Sequence, residues 1–305
     1  MSPIVRRLAP LAVVAAVLAV AATASGQDFI APHEELAFDR PEAWSLNYFA
    51  SVSLLTGFGT PKARRPGELE AAIELGWVPH LDAEQRTVGF GGLKEEDLNQ
   101  TPVFIRPRLA VGLPADFSLT VAYVPPVRAF GVKSNLLALS LDRPLWTGER
   151  WTLGTRLYGQ TGTAEGAFTC TEEDAAGGDD LELNPFGCEA ASADQATLRY
   201  AGLELSASYR LEGLGGLTPH LAAALNYFDN RFQVNARTFG FRDRTLLLAD
   251  GSTYSLAAGL TYPWHDRSGL GVELFYSPLE VTRRNRPRDT DPLFNLRLLL
   301  SHRFR

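Results

Sequence analysis

The sequence is poor in cysteine and methionine, and it lacks a long apolar run after its first 25 residues. Its 305 residues include two Cys and one Met. Two cysteines exclude a disulfide-rich mini-fold and a four-cysteine zinc site. A membrane-spanning helix needs about 18 apolar residues, so a polytopic helical membrane protein is excluded as well. A net charge of −6 with 45% apolar residues excludes a disordered chain.

The first 24 residues have the pattern of a cleaved secretory signal. Arg6 and Arg7 precede a nearly unbroken apolar stretch over residues 8–22, and small residues surround Ala24. This order predicts export with cleavage near residue 24, and an uncleaved N-terminal anchor helix is the alternative. Because exported proteins meet an oxidising compartment, Cys170 and Cys188 are expected to form a structural disulfide.

From Trp44 onward the apolar and polar residues alternate with a period of two. In one stretch Tyr254, Leu256 and Leu260 alternate with small or polar neighbours such as Ser255 and Gly259. Successive side chains of a strand point to opposite faces, so this pattern predicts strands with one apolar and one polar face. Helical spacings of three and four are not sustained after the signal.

Twelve strands are predicted from this alternation. They lie near residues 44–56, 67–78, 84–93, 102–112, 115–125, 129–142, 150–162, 195–211, 216–229, 251–264, 268–280 and 292–304. The third is weak because Val88 and Phe90 stand among glycines, so ten strands is the alternative count. Short turns near 112–115 and 264–269 contrast with long polar connections such as 163–194.

Short turns at one end and long loops at the other are typical of a transmembrane β-barrel. The predicted fold is therefore all-β, a transmembrane antiparallel up-and-down barrel over residues 44–305. Residues 25–43 are predicted to form a short periplasmic N-terminal segment, and a plug of the lumen is the alternative for the residues before Trp44. An exported soluble β-sandwich or lipocalin-like barrel remains the alternative, since alternation alone does not separate the two.

The five tryptophans provide a second indication of a membrane. If the first predicted strand rises from the short-turn end, all five fall at that end. Indole rings favour the boundary between lipid tails and water, so these residues are predicted to form an aromatic girdle. They are Trp44, Trp77, Trp146, Trp151 and Trp264.

The end of the chain also has a characteristic pattern. Leu296, Leu298, Leu300, His302 and Phe304 share one face of the last predicted strand. This resembles the C-terminal assembly signal of Gram-negative outer-membrane β-barrel proteins, although Phe304 is penultimate rather than last. The resemblance implies location in the outer membrane, contact with its lipid and lipopolysaccharide, and recognition by the barrel-assembly machinery. It points to no narrower family.

The opposite parity of the strands places ionic residues inside the barrel. The predicted lumen set is Glu70, Glu74, Arg106, Arg108, Arg156, Glu204, Arg210, Glu273 and Arg297. Such charges are costly in lipid but can pair within a lumen. They predict a narrow channel or transporter for small polar or ionic solutes. The alternative is a non-conducting structural or adhesive barrel whose charges only hold the wall together.

Two loops carry further hypotheses. Acidic residues surround Cys170 and Cys188, but their spacing matches no EF-hand, and a solvated loop without a metal is favoured over a cation site. Arg283, Arg284, Arg286 and Arg288 are predicted to face outward, either as a clamp for lipopolysaccharide phosphates or as a solvated loop. Export makes nucleic-acid binding a poor interpretation of this basic loop.

An outer-membrane hydrolase is the less favoured alternative. The histidines are His33, His80, His220, His265 and His302, and all but His33 are predicted at the periplasmic end of the barrel or in its turns. No nucleophile elbow, zinc-binding helix or phosphate-binding glycine loop is present. The sequence therefore predicts no enzyme activity and no cofactor.

Overall fold

The computed structural model describes residues 28–29 and 33–304, and the predicted signal peptide lies outside them. Ten strands form the wall of a barrel. They are β1 (Leu69–Trp77), β2 (Val103–Gly112), β3 (Ser118–Val124), β4 (Val132–Thr147), β5 (Trp151–Gly166), β6 (Tyr200–Tyr209), β7 (Thr218–Gln233), β8 (Leu246–His265), β9 (Ser268–Ser277) and β10 (Leu293–Arg303).

The wall is a closed antiparallel sheet in which each strand pairs with its neighbours in the chain. The last strand returns to the first, with Arg297 opposite Gly76 and Arg303 opposite Glu70. Closure leaves no unpaired strand edge in the wall, as a sheet in lipid requires. The up-and-down barrel is thus confirmed, whereas the main count of twelve strands is wrong and the alternative of ten is right.

Both surplus strands of the prediction are helical or irregular. Residues 44–56 belong mostly to helix α1 (Pro41–Val52), which begins with Pro41 in its first turn and Glu42 close behind it. Residues 84–93 contain the short helices Ala83–Arg86 and Gly89–Gly92 and the short strand Thr87–Val88. No helix among the described residues is long and apolar enough to cross a membrane.

The first of these differences has a clear physical reason. Every α1 residue except Phe49 is buried, because the helix is surrounded by the barrel rather than packed on one side. A helix buried all round needs no apolar stripe with a period of 3.6. Its chance alternation of Trp44, Leu46 and Tyr48 with polar neighbours therefore resembled a strand.

The two ends of the barrel differ in their connections. Residues 113–117, 148–150, 210–217 and 266–267 form the turns at the short-turn end. Residues 78–102, 125–131, 167–199, 234–245 and 278–292 connect the strands at the long-loop end. These connections carry the remaining small elements, which are the helix Glu172–Ala176 and the strands Lys94–Glu95, Arg128–Ala129, Asp194–Thr197, Ala236–Thr238, Phe241–Asp243, Glu280–Val281 and Asp289–Thr290.

The outward face of the wall is apolar, whereas the inward face carries the charged residues together with apolar ones such as Phe228 and Phe275. On β6, Leu203 and Leu205 are exposed whereas Glu204 and Ser206 are buried. On β10, Leu296 and Leu298 are exposed whereas Arg297 is fully buried. This arrangement inverts that of a water-soluble barrel and matches a wall surrounded by lipid.

The aromatic residues form two outward rims with some exceptions to the predicted girdle. Trp146, Trp151 and Trp264 are exposed at the short-turn end, while Trp77 is exposed at the long-loop end, where β1 ends. Trp44 is only 1% exposed, because it lies on α1 inside the barrel. Both deviations follow from the strand count. Removing the first predicted strand reverses the direction of β1, which moves Trp77 to the long-loop end, and it leaves Trp44 on the helix instead of the wall.

Candidate functional site: the occupied lumen

The lumen contains the N-terminal segment, defined here as residues 33–68. Its strand Glu34–Glu35 pairs in parallel with Leu247–Leu248 of β8, at the long-loop end. Helix α1 follows, and Trp44 donates through Nε1 to the carbonyl of Asp291 at 3.0 Å in the last long loop. The chain then descends to the short-turn end, where Gly67 donates its N–H to Gly112. Residues 33–43 therefore lie at the long-loop end of the barrel.

Four buried charged residues lie beside the C-terminal end of α1. We call Glu74 of β1, Arg106 and Arg108 of β2, and Arg297 of β10 the arginine layer. One carboxylate oxygen of Glu74 accepts from Arg106 and Arg108, with Nε–O distances of 2.8 and 2.9 Å. Because these three strands are neighbours in the wall, the layer is concentrated on one side of the lumen.

The arginine layer also binds the backbone of the N-terminal segment. Arg297 donates to the carbonyls of Ser51 and Leu54 at 2.9 Å each. Arg106 donates to the carbonyl of Ser53, and Arg108 to that of Thr56, both at 2.7 Å. The last carbonyls of a helix lack internal partners and carry partial negative charge, so guanidinium groups there are doubly favourable.

A second group of buried charges lies farther around the wall. Arg156 of β5 bridges Asp142 of β4 and Glu204 of β6, with N–O distances of 2.6 and 2.9 Å. Glu273 of β9 accepts from the hydroxyl of Thr56 at 2.6 Å and lies 3.4 Å from Nε2 of His220. The N-terminal segment thus contacts Glu273 in addition to the arginine layer.

The structure brings most of the predicted lumen set together. Its buried members are Glu74, Arg106, Arg108, Arg156, Glu204, Glu273 and Arg297. Glu70 lies nearer the short-turn mouth and pairs with Arg64 of the N-terminal segment at 2.7 Å. Arg210 is exposed just beyond β6.

Sequence reasoning missed several partners of these charges. Tyr200 donates to the Ser53 carbonyl at 2.7 Å, and Gln160 donates to the Ser53 hydroxyl at 2.8 Å. Asp142, which completes the Arg156 bridge, has the inward parity of its strand. Parity was therefore the signal that could have identified Asp142.

Two cavities lie on opposite sides of the arginine layer. The short-turn cavity has a volume of about 690 Å³ and is lined by residues such as Thr60, Lys62, Asp142 and Arg210. The long-loop cavity is smaller, about 270 Å³, and lies between α1 and the long loops. Between the two cavities, Glu74, Arg106 and Arg297 are fully buried.

The long-loop cavity is mostly apolar but has four carboxyl groups and one guanidinium in its lining. Leu46, Phe49 and Phe232 contribute apolar surface, and the charged lining residues are Glu34, Arg40, Glu42, Glu96 and Asp243. Burial raises the pKa of Glu96 to about 8, against the opposite influence of Lys94, whose Nζ lies 3.0 Å from Oε2.

The two predicted loop features lie at the long-loop end. Cys170 and Cys188 form a disulfide with a Cα–Cα distance of 5.7 Å, and the pair packs on Val234 and Ala236. Among the described residues no group of three or more His, Cys, Asp or Glu is placed to hold a metal ion.

The basic loop is engaged with the rest of the chain. Arg283 lies 2.5 Å from Asp291 and stacks over Trp44, and Arg286 lies 2.5 Å from Glu84. Arg288 pairs with Glu280, while Arg284 is exposed. Three of the four guanidinium groups therefore face carboxylates of this chain.

The histidines do not form a hydrolytic site with a serine. His80 lies in the first long loop, against Asn99, rather than at the predicted short-turn end. His302 contacts Ser268 at 2.9 Å, but this pair is exposed on the outside of the wall at the short-turn end. Only His220 is buried in the lumen, where its partner is Glu273.

Several solved structures are similar to this chain. The outer-membrane protease OmpT from Escherichia coli is 13% identical with a TM-score of 0.38, over 78% of this chain and 94% of that one. The toluene transporter TbuX of Ralstonia pickettii is 8% identical with a TM-score of 0.32, over 79% and 75%. Ail, the attachment invasion locus protein of Yersinia pestis, is 12% identical with a TM-score of 0.25, over 79% and 100%.

No protein-family model matches the chain, and no curated protein matches it. The architecture itself is distinctive. It combines an even number of antiparallel strands, a closed wall, an outward apolar band and long loops at one end. This is the architecture of Gram-negative outer-membrane β-barrel proteins, in agreement with the resemblance of the C-terminal strand.

Proposed function

We propose that the protein is an outer-membrane barrel for the passage of small solutes, and that its N-terminal segment closes the lumen at rest. In this arrangement the long loops face the outside of the cell and the short turns face the periplasm. The observation that carries the proposal is the set of hydrogen bonds from Arg106, Arg108 and Arg297 to backbone carbonyls of residues 53–56, just beyond the end of α1.

The chemistry of this contact supports a closure that can open. An apolar lumen filled by side chains would seal a ten-stranded barrel permanently without buried charges. Here the segment is held by these hydrogen bonds together with apolar packing, in which Trp44 and Leu54 belong to one cluster with Phe228 and Phe275 of the wall. Water entering the lumen can replace the hydrogen bonds. The cavities on either side of the arginine layer provide the two ends of a path that the segment interrupts.

The test compares the full mature protein with a variant that begins at Gly67, each refolded and inserted into planar bilayers. We expect the full protein to be mainly closed and the shortened variant to show regular conductance steps. A shortened variant that is folded, by its gel mobility before and after heating, yet passes no current would refute closure by the segment.

A second pair of proteins tests whether the segment moves. The hydroxyls of Ser51 on α1 and Ser277 on β9 lie 3.4 Å apart, so the double variant Ser51→Cys/Ser277→Cys can link the segment to the wall. We expect voltage-dependent openings after reduction and none after oxidation. The single variant Ser277→Cys is the matched control, and its openings should not depend on the redox state.

The second candidate function is a non-conducting structural or adhesive barrel. It is favoured by the anchoring of the segment at both ends, through Glu34–Glu35 on β8 and Gly67 on β2. This candidate predicts conductance only in the shortened variant and never in the reduced double-cysteine protein.

A further inference from the structure

We propose that the long-loop cavity binds a small apolar molecule of one or two aromatic rings that carries a single hydrogen-bond donor. The cavity and its lining groups exist in the closed barrel. This binding site therefore does not depend on whether the N-terminal segment moves.

The size and lining of the cavity set the class of ligand. An apolar cavity of about 150 Å³ accommodates benzene, so the 270 Å³ here suits a somewhat larger molecule. Its apolar walls come from separate parts of the chain, with Leu46 and Phe49 from α1, Phe168 and Ala196 from the third long loop, and Phe232 from β7. Flat rings match such a lining of aromatic side chains.

The requirement for one donor comes from Glu42. Its Oε1 accepts from the Arg40 guanidinium and from the N–H of Gly91, both at 2.8 Å. Its Oε2 is buried and has no hydrogen-bond partner among the described residues, and the side chain is about nine-tenths buried. An unsatisfied buried acceptor is costly, so a ligand hydroxyl or amine at this point removes the cost.

The other three carboxyl groups in the lining already have partners. Glu34 accepts from Arg40 at 2.6 Å, and Glu96 contacts Lys94 at 3.0 Å. Asp243 accepts from the hydroxyl of Thr245 at 2.7 Å, which leaves Glu42 as the acceptor for a ligand. The four carboxyl groups also outnumber the single guanidinium of Arg40 in the lining, which disfavours an anionic ligand because its charge is desolvated near theirs. The site therefore selects neutral or cationic ligands with a donor over anions of the same shape.

Three probes of one shape test this selection: naphthalene, 2-naphthol and 2-naphthoate. Binding is measured by equilibrium dialysis against the mature protein in lipid nanodiscs, with empty nanodiscs as the blank. We expect saturable binding of 2-naphthol about tenfold tighter than that of naphthalene, and no saturable binding of 2-naphthoate. Absence of saturable 2-naphthol binding, or 2-naphthoate binding of equal strength, would overturn the proposal.

Two matched substitutions test whether the probe binds in the long-loop cavity. Ala196→Phe fills the cavity, whereas Ala201→Phe makes the same change on the lipid-facing side of β6. We expect Ala196→Phe to weaken 2-naphthol binding more than about tenfold and Ala201→Phe to leave it within about twofold. Equal binding by the two variants would show that the probe binds elsewhere.

A third variant tests the hydrogen bond between the ligand and Glu42. Its binding of the probes is measured only in protein that has folded. Glu42→Gln keeps the shape of the side chain but removes its charge, so the preference for 2-naphthol over naphthalene should fall to about twofold. An unchanged preference would contradict the assignment of Glu42, even if Ala196→Phe failed to fold.

Discussion

The two faces of the barrel wall differ in what determines their residues. On β6, Leu203 and Leu205 point outward into a uniform apolar surrounding, while Glu204 between them points inward to Arg156. Any apolar side chain satisfies the outward positions. Each inward position must instead match one particular partner on another strand or on the N-terminal segment. The outward face therefore tolerates exchange among apolar residues, and the inward face does not.

The largest loss of stability is expected when Glu74 on the inward face is replaced. Glu74→Leu leaves Arg106 and Arg108 without their shared carboxylate, and removal of one partner from a buried ion pair costs about 3–5 kcal/mol. The free energy of unfolding should fall by this amount in urea titrations of the protein in lipid vesicles.

The matched control is Glu70→Leu on the same strand. Glu70 pairs with Arg64 near the mouth of the barrel, where both side chains are partly exposed, so its loss should cost at most about 1 kcal/mol. Equal costs for the two substitutions would mean that burial does not distinguish the two positions.

A somewhat smaller effect is expected on the outward face. Leu205→Arg places a guanidinium against lipid, which costs about 2–4 kcal/mol near the bilayer midplane. The same substitution at Leu214, in an exposed turn at the short-turn end, should cost almost nothing. The two variants are compared by the same urea titration, and a similar loss at both positions would remove the evidence for a lipid-facing band.

The smallest effect concerns a buried carboxyl outside the wall. Because the folded-state pKa of Glu96 is about 8, above its ordinary 4.5, the folded protein retains a proton that the unfolded chain releases between these values. The stability of its loop should therefore fall as pH rises from about 4.5 to 8. Hydrogen exchange of residues 83–98 at pH 5.5 and pH 8 measures this slope.

Glu96→Gln should flatten the pH dependence of that exchange after correction for the intrinsic rate. Glu95→Gln is the matched control, since Glu95 is partly exposed beside Arg86 and its substitution should leave the slope in place. A slope that persists in Glu96→Gln would assign the pH dependence to another group.

The wall was predictable from sequence because its outward side meets a single medium. Alternation in residues 254–262 and 292–304 is a local property of the chain, and it identified strands that the structure contains. The same parity placed Arg106, Arg156 and Glu273 inside. No contact between distant residues had to be known for these predictions.

The N-terminal segment was not predictable in this way. Its helix is buried on all sides, so Trp44 and Tyr48 are not part of an apolar stripe with the period of a helix. Its partners come from β2, β9 and β10, and only the closed barrel brings these strands together. Pro41 and Glu42 in the first turn are a local feature of a helix start that the prediction from alternation did not use.

The position of the arginine layer has a consequence for how the barrel is made. Arg297 and Glu74 lie on β10 and β1, the strands whose pairing closes the cylinder. Residues 51–56 contact Arg106 on one side of this seam and Arg297 on the other, and both contacts exist together only once the pairing has formed. The strands that seal the wall are thus also the strands that hold residues 51–56 in the lumen.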